Sequence, residues 1–341
     1  MKSIPKTTII VPNWNGQETI VDCIDSLLNQ SLVSTIIVVE NGSIDNSLKI
    51  IEESYPEIII LKQKRNLGFA GGVNVGIRYA IDIGFDFIGL FNNDAIADKN
   101  WLNSLVTVLE AHKNVGIVTS KILDYQGKHI DSTGDFYTSW GLPYPRGRGE
   151  LLSDKYDLDN FVFAGSGGAS LYRSSMLKQI RLFDESFFAY YEDVDISFRA
   201  QLFGWKVLYQ PDALVYHHIG ATSKTIKGFT TYQTMKNLPL LLWKNMPSSL
   251  LIKIMPRFLI VYLSFFISAA IRKQLQFALK GFFKMLLLLP RASIQRIYIL
   301  KHKVVPDSYI KSTLIYDLPP NATKIRRLRS IYWSILRKKH V

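Results

Sequence analysis

The sequence predicts an α/β fold with a mostly parallel open sheet flanked by helices, followed by a helical, basic C-terminal region. Short apolar runs rich in β-branched residues alternate with helical patterns over residues 7–123, as in proteins with buried parallel strands. From about residue 228 the apolar stretches lengthen and basic residues dominate. An apolar content of 48% with 20% charged residues excludes an intrinsically disordered chain.

The first four predicted strands are short, and amphipathic segments separate them. The strands are Thr7–Trp14, Thr35–Asn41, Glu57–Lys62 and Phe85–Asn92, and the helices between them are Thr19–Gln30, Asp45–Tyr55 and Gly72–Ile83. Repeated βα units of this size are typical of a doubly wound open sheet, in which ligands bind beyond the carboxyl ends of the strands. The loops that follow the strands are therefore the places to look for a site.

The pattern changes after the fourth βα unit. Residues 124–160 are rich in Gly, Pro, Tyr and Asp and predict a long surface insertion, which covers the active site in some proteins and is peripheral in others. Strand patterns return at Asn160–Ala164, and a helix is expected to begin near Glu192. Trp205–Tyr209 predicts another strand, followed by Pro211 and the segment Ala213–His218.

Charge is distributed unevenly along the chain. Residues 221–341 contain 22 Lys and Arg against two acids, whereas residues 1–220 are net acidic. This asymmetry favours an acidic catalytic part joined to a basic attachment part, although a solvated basic face gives the same count. Cys23 is the single cysteine, which excludes an intramolecular disulfide and fits a reducing compartment. The N-terminus lacks the apolar core of a signal peptide, so we expect no secretion.

The C-terminal apolar stretches suggest attachment to a membrane. Phe258–Ile271 runs for fourteen residues without a charge, and Leu238–Trp243 and Gly281–Leu289 are shorter. A bilayer-spanning helix needs about twenty apolar residues, so we expect interfacial or shallowly inserted helices. A buried C-terminal bundle and a re-entrant hairpin are the alternatives. The basic amphipathic tail Lys324–Lys339 fits the same surface role.

Candidate nucleotide contacts follow the first two strands. The first strand ends in Pro12-Asn13-Trp14-Asn15, and the second ends in Glu40-Asn41, with Asp45 shortly after. Carboxylates and amides at strand ends suit hydrogen bonds to a base and a ribose. Taken alone, residues 41–43 (Asn-Gly-Ser) are equally typical of a turn followed by a helix cap.

Two further segments extend this candidate site. Residues 66–76 (NLGFAGGVNVG) open a helix, where glycines allow close backbone approach and the helix start favours anions. Asn66, Gly68, Gly72 and Asn74 are its candidate contacts. The fourth strand ends in Asn92-Asn93-Asp94, and a carboxylate beside a diphosphate is enough to hold Mg²⁺ or Mn²⁺. The alternative role of Asp94 is to cap the turn that follows.

Acidic and imidazole groups complete the candidate chemistry. Glu192, Asp193 and Asp195 lie at a helix start directly after Tyr190-Tyr191. Helix polarity explains some preference for acids there, and a carboxylate partly enclosed by aromatic rings is a reasonable general base. His217 and His218 end the last predicted strand, and a neutral imidazole there could complete a metal site.

In combination, these motifs resemble family-2 glycosyltransferases, and within them the bacterial rhamnosyltransferase-like group. The resemblance covers most of residues 7–223. Its elements are VPNWNG (11–16), VVENGSIDNS (38–47), NLGFAGGVNVG (66–76), LFNNDA (90–95), AYYEDVDISFRAQLFGWKV (189–207) and VYHHIGATS (215–223). It implies a GT-A fold over residues 1–227, with a membrane-associating region over residues 228–341, and an inverting single displacement.

The resemblance also implies roles for individual residues. Asp94 would be the principal ligand of Mg²⁺ or Mn²⁺, with Asn92 in the place of the first carboxylate of the family's DxD motif. His217 would be the second ligand, and Asp193 of the Glu192-Asp193 pair would be the catalytic base. Glu40 stands where an Asp usually contacts the nucleoside. Residues 165–170 would line the sugar or acceptor pocket, and Arg199 either orients the acidic cluster or forms an ordinary ion pair.

The implied donor is dTDP-L-rhamnose, and UDP-sugars such as UDP-galactofuranose or UDP-GlcNAc are the alternative. The implied acceptor is a lipid-linked or cell-surface glycan, reached from the cytoplasmic face of the membrane by a peripheral or monotopic enzyme. No nucleic-acid partner is expected. Two other classes fit less well. A nucleotidyltransferase would carry a basic, Gly-rich loop after the first strand, and a non-catalytic lipid or nucleic-acid binder would leave the strand-end carboxylates without a purpose.

Overall fold

The computed structural model describes residues 5–218 and 226–318. The tail Lys324–Lys339 and the end of the VYHHIGATS motif lie outside the described residues. The strands are β1 (Thr7–Asn13), β2 (Thr35–Glu40), β3 (Ile59–Lys62), β4 (Phe87–Phe91), β5 (Ala95–Ala97), β6 (Val115–Asp124), β7 (Ile130–Ser132), β8 (Asp135–Thr138), β9 (Pro143–Pro145), β10 (Asn160–Phe161), β11 (Ala169–Arg173), β12 (Lys206–His217) and β13 (Leu314–Ile315).

The helices fall between these strands and then dominate the C-terminal region. They are α1 (Ile20–Leu28), α2 (Ser47–Ser54), α3 (Gly68–Ile83), α4 (Trp101–Ala111), α5 (Ser174–Ile180), α6 (Glu192–Leu202), α7 (Phe229–Asn245), α8 (Ser248–Ile271), α9 (Leu275–His302) and α10 (Asp307–Thr313), with short 3₁₀ turns at Asp154–Tyr156 and Glu185–Phe187. The predicted βα alternation over residues 7–123 is present, with element ends shifted by a few residues.

The main sheet is mixed, with the order β10-β12-β6-β11-β4-β1-β2-β3. Strands β3, β2, β1 and β4 are parallel, and β11 runs antiparallel between β4 and β6. The predicted α/β fold with a mostly parallel open sheet is therefore confirmed. Helix α3 packs closely on this sheet, since a Cβ at Gly76 would lie 2.6 Å from Ile10 Cγ2. The carboxyl ends of β1, β2 and β4 meet at one edge.

Two regions differ from the sequence pattern. Pro211 does not end the strand that begins at Lys206, because β12 continues to His217 past an irregularity between Gln210 and Leu214. A proline fits there because a bulge leaves residues without ladder bonds. The insertion at 124–160 forms β7–β9, and β8 pairs with β9 and with the C-terminal strand β13. Tyr137 in β8 is fully buried, so the insertion is part of the core.

Helix α7 packs in the same hydrophobic core as the sheet. The core joins Ile10 of β1 and Leu90 of β4 to Met235 and Leu241 of α7. The boundary expected between residues 227 and 228 thus precedes a helix that shares its core with the catalytic part. The division at that point stays a prediction.

Helix α8 is longer than the charge-free run within it. It has 24 residues, because the helix begins at Ser248 and continues through Pro256. Among the described residues it is the one helix long and apolar enough to cross a bilayer, with a mean hydropathy of 2.0 over its most apolar window. The expectation that the C-terminal apolar segments are too short to span a bilayer is therefore wrong for α8. A helix in the core of a soluble protein can have the same length and composition.

Candidate active site

A cavity of about 930 Å³ lies at the carboxyl ends of the strands. This volume is typical of a site for a nucleotide-sized ligand. Of the residues predicted from the sequence, eleven line it: Pro12, Asn13, Asn41, Asn66, Gly68, Asn92, Asn93, Asp94, Glu192, Asp193 and His217. The fold thus brings the first, second and fourth strand ends together with the acidic helix start.

A buried polar network joins the ends of β1, β2 and β4. Asn13 Nδ2 donates to Glu40 Oε2 at 2.6 Å and to Ser47 Oγ at 2.9 Å. Asn13 Oδ1 accepts from Asn93 Nδ2 at 2.8 Å. The network forms because Asn13 and Glu40 are register partners in the parallel pair β1–β2. The network holds in place the wall of the cavity that a nucleoside would contact.

Five predicted contacts do not line the cavity, and each has protein partners. Glu40 accepts from Asn13 and, at 2.6 Å, from the Ser43 amide. Asn15 Oδ1 accepts from the Ile44 amide, and Asp45 Oδ2 accepts from the Gln17 amide. Gly72 provides close packing, since a Cβ there would lie 3.1 Å from an Asn41 side-chain nitrogen. Asn74 binds the Phe183 carbonyl from within helix α3.

The glycine-rich loop approaches the acidic helix start. Gly68 has φ of +73°, and a Cβ there would lie 2.4 Å from the Phe188 carbonyl oxygen. Asn41 holds the loop from β2, because its Oδ1 accepts from the Leu67 amide and its Nδ2 donates to the Gly68 carbonyl. Glycine is required at position 68 both for the backbone conformation and for the contact.

Three polar side chains converge at the end of β4. Asp94 Oδ1 lies 3.1 Å from His217 Nε2, and Asn92 Nδ2 lies 3.5 Å from the same nitrogen. On the other side of the ring, His217 Nδ1 lies 2.9 Å from Asp131 Oδ2. Burial alone would lower the pKa of His217, but hydrogen bonds and charge from Asp131 and Asp94 raise it to about 9. In this state a protonated imidazole balances the two carboxylates.

The same arrangement fits a divalent cation held together with a diphosphate. Asp94 and His217 Nε2 point toward one another, and Asp131 fixes the far ring nitrogen, as carboxylates do behind metal-bound histidines. Within residues 5–218 and 226–318, no three His, Cys, Asp or Glu side chains are grouped to hold a metal ion unaided. A cation at Asp94 and His217 would therefore need substrate oxygens, the usual binding mode for Mg²⁺.

The two adjacent acids at the start of α6 have different surroundings. Asp193 accepts the Gly167 amide at 3.0 Å and the Val194 amide at 2.8 Å. Glu192 is buried, and its Oε2 has no hydrogen-bond partner among the described residues. Burial, followed by the charge of Asp193, raises the pKa of Glu192 well above its usual range. Burial also raises the pKa of Asp193, but hydrogen bonds from backbone N–H groups oppose that rise and stabilise the ionised form of Asp193.

The loop at residues 188–191, whose backbone is strained, places Glu192 and Asp193 at the cavity. Phe188, Tyr190 and Tyr191 all have positive φ, between +64° and +70°. Asn237 of α7 holds the loop, since its Nδ2 lies 2.8–2.9 Å from the carbonyls of Phe187, Ala189 and Tyr190. Positive φ costs about 1–3 kcal/mol per residue in non-glycine positions and persists only where surrounding structure enforces it. Sequence reasoning missed Asn237 because it lies in what was expected to be an attachment region.

The insertion supplies further site residues that the sequence did not single out. Asp131, which holds His217, pairs with Arg148 at 2.7 Å. Asp135 lines the cavity, and burial, with the charge of Asp193 next, raises its pKa to about 8. The density of acids in this segment was visible in the sequence, but their proximity to β12 and α6 depends on how the insertion folds back.

Two other expectations concern the neighbours of the acidic pair. Ser166, Gly167 and Gly168 line the cavity, as expected for the segment 165–170. Arg199 pairs with Asp195 at 3.0 Å and donates to the carbonyls at the end of α5, in the core. Arg199 therefore forms a buried ion pair that orients Asp195 and does not line the cavity.

An open α/β sheet with amides, a carboxylate and an imidazole around a nucleotide-sized cavity is compatible with a nucleotide-dependent transferase. The family model for "Glycosyl transferase family 2" matches residues 8–181. The chain therefore belongs to glycosyltransferase family 2 and is a glycosyltransferase enzyme. The expected family and enzyme class are confirmed.

Relatives with assigned activities share about a quarter of aligned positions. A low-salt glycan biosynthesis hexosyltransferase, Agl10 of Haloferax volcanii, is 27% identical over 57% of this chain and 61% of its own length, which is less than two thirds of that relative. The N-acetylglucosaminyl-diphospho-decaprenol L-rhamnosyltransferase of Mycobacterium tuberculosis is 28% identical over 57% of this chain and 69% of its own length.

Solved structures of low identity share the fold. S. aureus TarS 1–349 in complex with UDP has a TM-score of 0.55 at 17% identity, covering 92% of this chain and 94% of that one. Mannosyltransferase PcManGT from Pyrobaculum calidifontis, in complex with GDP-Man and Mn²⁺, has a TM-score of 0.52 at 14% identity, covering 88% of this chain and 86% of that one. These likenesses support the expected GT-A fold.

Proposed function

We propose that this enzyme is an inverting transferase that moves L-rhamnose from dTDP-L-rhamnose onto a lipid-linked glycan. The observation that carries the proposal is a single cavity lined by Asp193, Asp94 and His217. A base and a diphosphate-binding group on one cavity are the two elements that a single displacement at an anomeric carbon needs.

Asp193 is the proposed base. It takes the proton of an acceptor hydroxyl, whose oxygen forms a bond to the anomeric carbon of the donor sugar. The bond from that carbon to the diphosphate oxygen breaks on the opposite face, and the nucleoside diphosphate leaves. Backbone amides stabilise the ionised form of Asp193, whereas burial favours the protonated form of Glu192, so Asp193 is the better proton acceptor of the two.

Asp94 and His217 would hold the cation, Mg²⁺ or Mn²⁺, with Asp131 orienting the histidine. When bound, the cation neutralises the charge that develops on the departing diphosphate. Pro12, Asn13, Asn41 and Asn93 at the strand ends support the nucleoside side of the donor, and the loop at Asn66–Gly68 supports its sugar side. The residues that line the nucleoside side are held in place by five residues outside the cavity: Asn15, Glu40, Asp45, Gly72 and Asn74.

Support for the donor and acceptor comes from the mycobacterial relative, which is an N-acetylglucosaminyl-diphospho-decaprenol L-rhamnosyltransferase. The C-terminal region supports the membrane side of the proposal. Helix α8 exposes apolar side chains such as Leu263 and Ile267, at 60% and 64% exposure. Such a surface on a basic region fits a peripheral or monotopic enzyme on the cytoplasmic face of the membrane.

The proposal is tested by measuring donor binding and donor hydrolysis with dTDP-, UDP- and GDP-sugars, each in the presence of Mg²⁺, Mn²⁺ or EDTA. Selective use of dTDP-L-rhamnose that is lost in EDTA is the expected result. Preference for a UDP-sugar would keep the enzyme class and overturn the rhamnosyl donor. Full turnover in EDTA would overturn the cation role of Asp94 and His217.

A further inference from the structure

A second hollow, of about 510 Å³, lies beside the main cavity and carries an excess of positive charge. We call it the basic hollow. Its basic residues are Lys236 of α7 and Lys284 and Arg291 of α9. Lys284 and Arg291 share one face of α9 with Leu288, since they are spaced at i, i+4 and i+7. Helices α7 and α9 approach closely there, because a Cβ at Gly281 would lie 2.4 Å from the Tyr232 carbonyl oxygen.

The positive charge of the basic hollow is only partly balanced by the protein. Lys284 has no carboxylate partner among the described residues, and Arg291 reaches Asp184 only at 3.5 Å. Glu185 also lines the hollow, but it already pairs with Arg78 at 2.6 Å. Burial, followed by the neighbouring charge of Lys284, lowers the pKa of Lys236 to about 8. An anion in the hollow would relieve this repulsion.

One of the residues that line the basic hollow, Gln233, has a buried polar atom without a partner. Gln233 is 2% exposed, and its Oε1 makes no hydrogen bond within the described part of the chain. Rotation of the amide by half a turn would present its N–H donors at the same place, because the two ends of an amide have nearly the same shape. A buried amide in this position is suited to a ligand oxygen.

The basic hollow adjoins both the catalytic cavity and an apolar surface. Phe188 and Phe229 line both the hollow and the catalytic cavity. Along α9, Phe283 and Leu287 lie next to Lys284 and Leu288 and are 59% and 75% exposed. A ligand with an anionic centre between a sugar and an apolar chain could therefore contact all three regions at once.

We propose that the basic hollow binds the phosphate or diphosphate of a lipid-linked acceptor, with the lipid chain along the exposed face of α8 and α9 and the sugar in the catalytic cavity. This inference rests on the proposed function, because it assigns a place to the acceptor's charged linkage. Lys284 and Arg291 are the principal contacts. Charge complementarity selects a phosphate, and the adjoining apolar side chains select one that carries a lipid.

Binding of the full chain to phosphatidylcholine vesicles doped with undecaprenyl phosphate tests the inference. We expect Lys284→Ala and Arg291→Ala each to weaken this binding about tenfold, the effect of losing one charged hydrogen bond. Lys301→Ala is the matched control, because Lys301 is an exposed lysine of α9 outside the hollow. Lys284→Arg should retain binding, since it keeps the charge.

Two comparisons separate the sources of the phosphate. Vesicles with phosphatidylglycerol in place of undecaprenyl phosphate should show no difference between Lys284→Ala and Lys301→Ala. An equal loss on both vesicles, or a loss only toward soluble pyrophosphate, would overturn the inference. Donor hydrolysis by Lys301→Ala without acceptor should equal that of the unchanged chain, since Lys301 lies outside both the hollow and the catalytic cavity. If the unchanged chain hydrolyses no sugar nucleotide, the proposed function fails; if hydrolysis is intact and vesicle binding is unaffected, only the assignment of the hollow fails.

Discussion

Asp193 and Glu192 are adjacent in the chain but have different environments. Two backbone amides stabilise the ionised form of Asp193, whereas Glu192 is buried with an unpartnered oxygen. The choice of base therefore depends on hydrogen bonding around each group and not on its type. Their coupling also means that a change in one alters the pKa of the other.

Asp193→Asn should lower transfer by about 100-fold or more, because general-base catalysis contributes about that much. Nucleotide binding, measured by calorimetry, should change little. Glu192→Gln is the matched control: it replaces a buried acid by a neutral group of the same shape, and we expect much higher residual activity. Comparable losses in both variants would contradict the assignment.

Asp131 acts on the cation site through His217. Asp131→Asn should lower Mn²⁺ affinity about 10–100-fold, the usual cost of removing a carboxylate behind a ligating histidine. Calorimetric titration with Mn²⁺ and a nucleoside diphosphate measures this without turnover. Asp124→Asn provides the control, because Asp124 also binds a histidine, His129, at 2.8 Å, and His129, unlike His217, does not line the cavity. Equal Mn²⁺ affinity in Asp131→Asn and Asp124→Asn would contradict the proposal that Asp131 orients His217 for cation binding.

At the level of elements, α7 connects the C-terminal region to the catalytic loop. Its Asn237 reaches three loop carbonyls, and its Lys244 lies between Asp184 at 2.8 Å and Asp195 at 2.7 Å. Asp195 belongs to α6, the helix that begins with the acidic pair. Helix α7 is thus a structural part of the active site.

Asn237→Ala should reduce transfer more than it reduces stability. The loss of the buried amide should cost about 1–3 kcal/mol in the free energy of unfolding. It should also release the positive-φ loop that places Asp193, so kcat should fall while the donor Kd stays close to its original value. Chemical denaturation and steady-state kinetics on one preparation measure both. Unchanged kcat at lowered stability would show that Asn237 is structural only.

Lys244→Met should be strongly destabilising, by about 3–5 kcal/mol, because it removes the buried cation that lies between the carboxylates of Asp184 and Asp195. Urea denaturation at neutral pH measures this change. Lys62→Met is the control, since Lys62 forms an exposed ion pair with Glu52, and such pairs contribute about 0–1 kcal/mol. A similar small effect in both variants would contradict the buried-pair argument.

The ion pair between Asp184 and Lys244 predicts how the stability of the fold depends on pH. Burial alone would raise the pKa of Asp184, but the Lys244 charge and hydrogen bonds hold it well below its usual range. A carboxylate with a lowered folded-state pKa stabilises the fold fully above its unfolded pKa of about 4 and loses that effect as pH falls. The stability that the Asp184–Lys244 pair gives to the unchanged chain should therefore decrease as pH falls below about 4, which urea denaturation at a series of pH values measures.

At the level of the whole molecule, the exposed apolar face of α8 should govern attachment to membranes. Leu263→Glu with Ile267→Glu should weaken co-sedimentation with phosphatidylcholine–phosphatidylglycerol vesicles, because it places charge where apolar burial is expected. Val33→Glu is the control, since Val33 is 92% exposed on the catalytic part. Equal sedimentation of the two proteins would contradict membrane contact by this face. Removal of residues 324–341 tests the basic tail in the same assay.

The sequence by itself determined the βα order, the strand ends that carry Asn13, Asn92 and Asp94, and the acidic helix start. These features can be predicted because they depend on local hydrophobic periodicity and on residues that are adjacent in the chain. The sequence also predicted the family and the enzyme class, because several of the family's motifs occur in this chain in the family's order.

Only the tertiary structure decided which side chains meet. Asp131 lies 86 positions from the histidine it orients, and Asn237 lies about 50 positions from the loop it holds. Glu40 and Asn74 have suitable chemistry but bind protein groups, because their elements pack against other parts of the fold. Contacts between distant segments depend on how the elements pack, and a pattern of neighbouring residues carries no information about that packing.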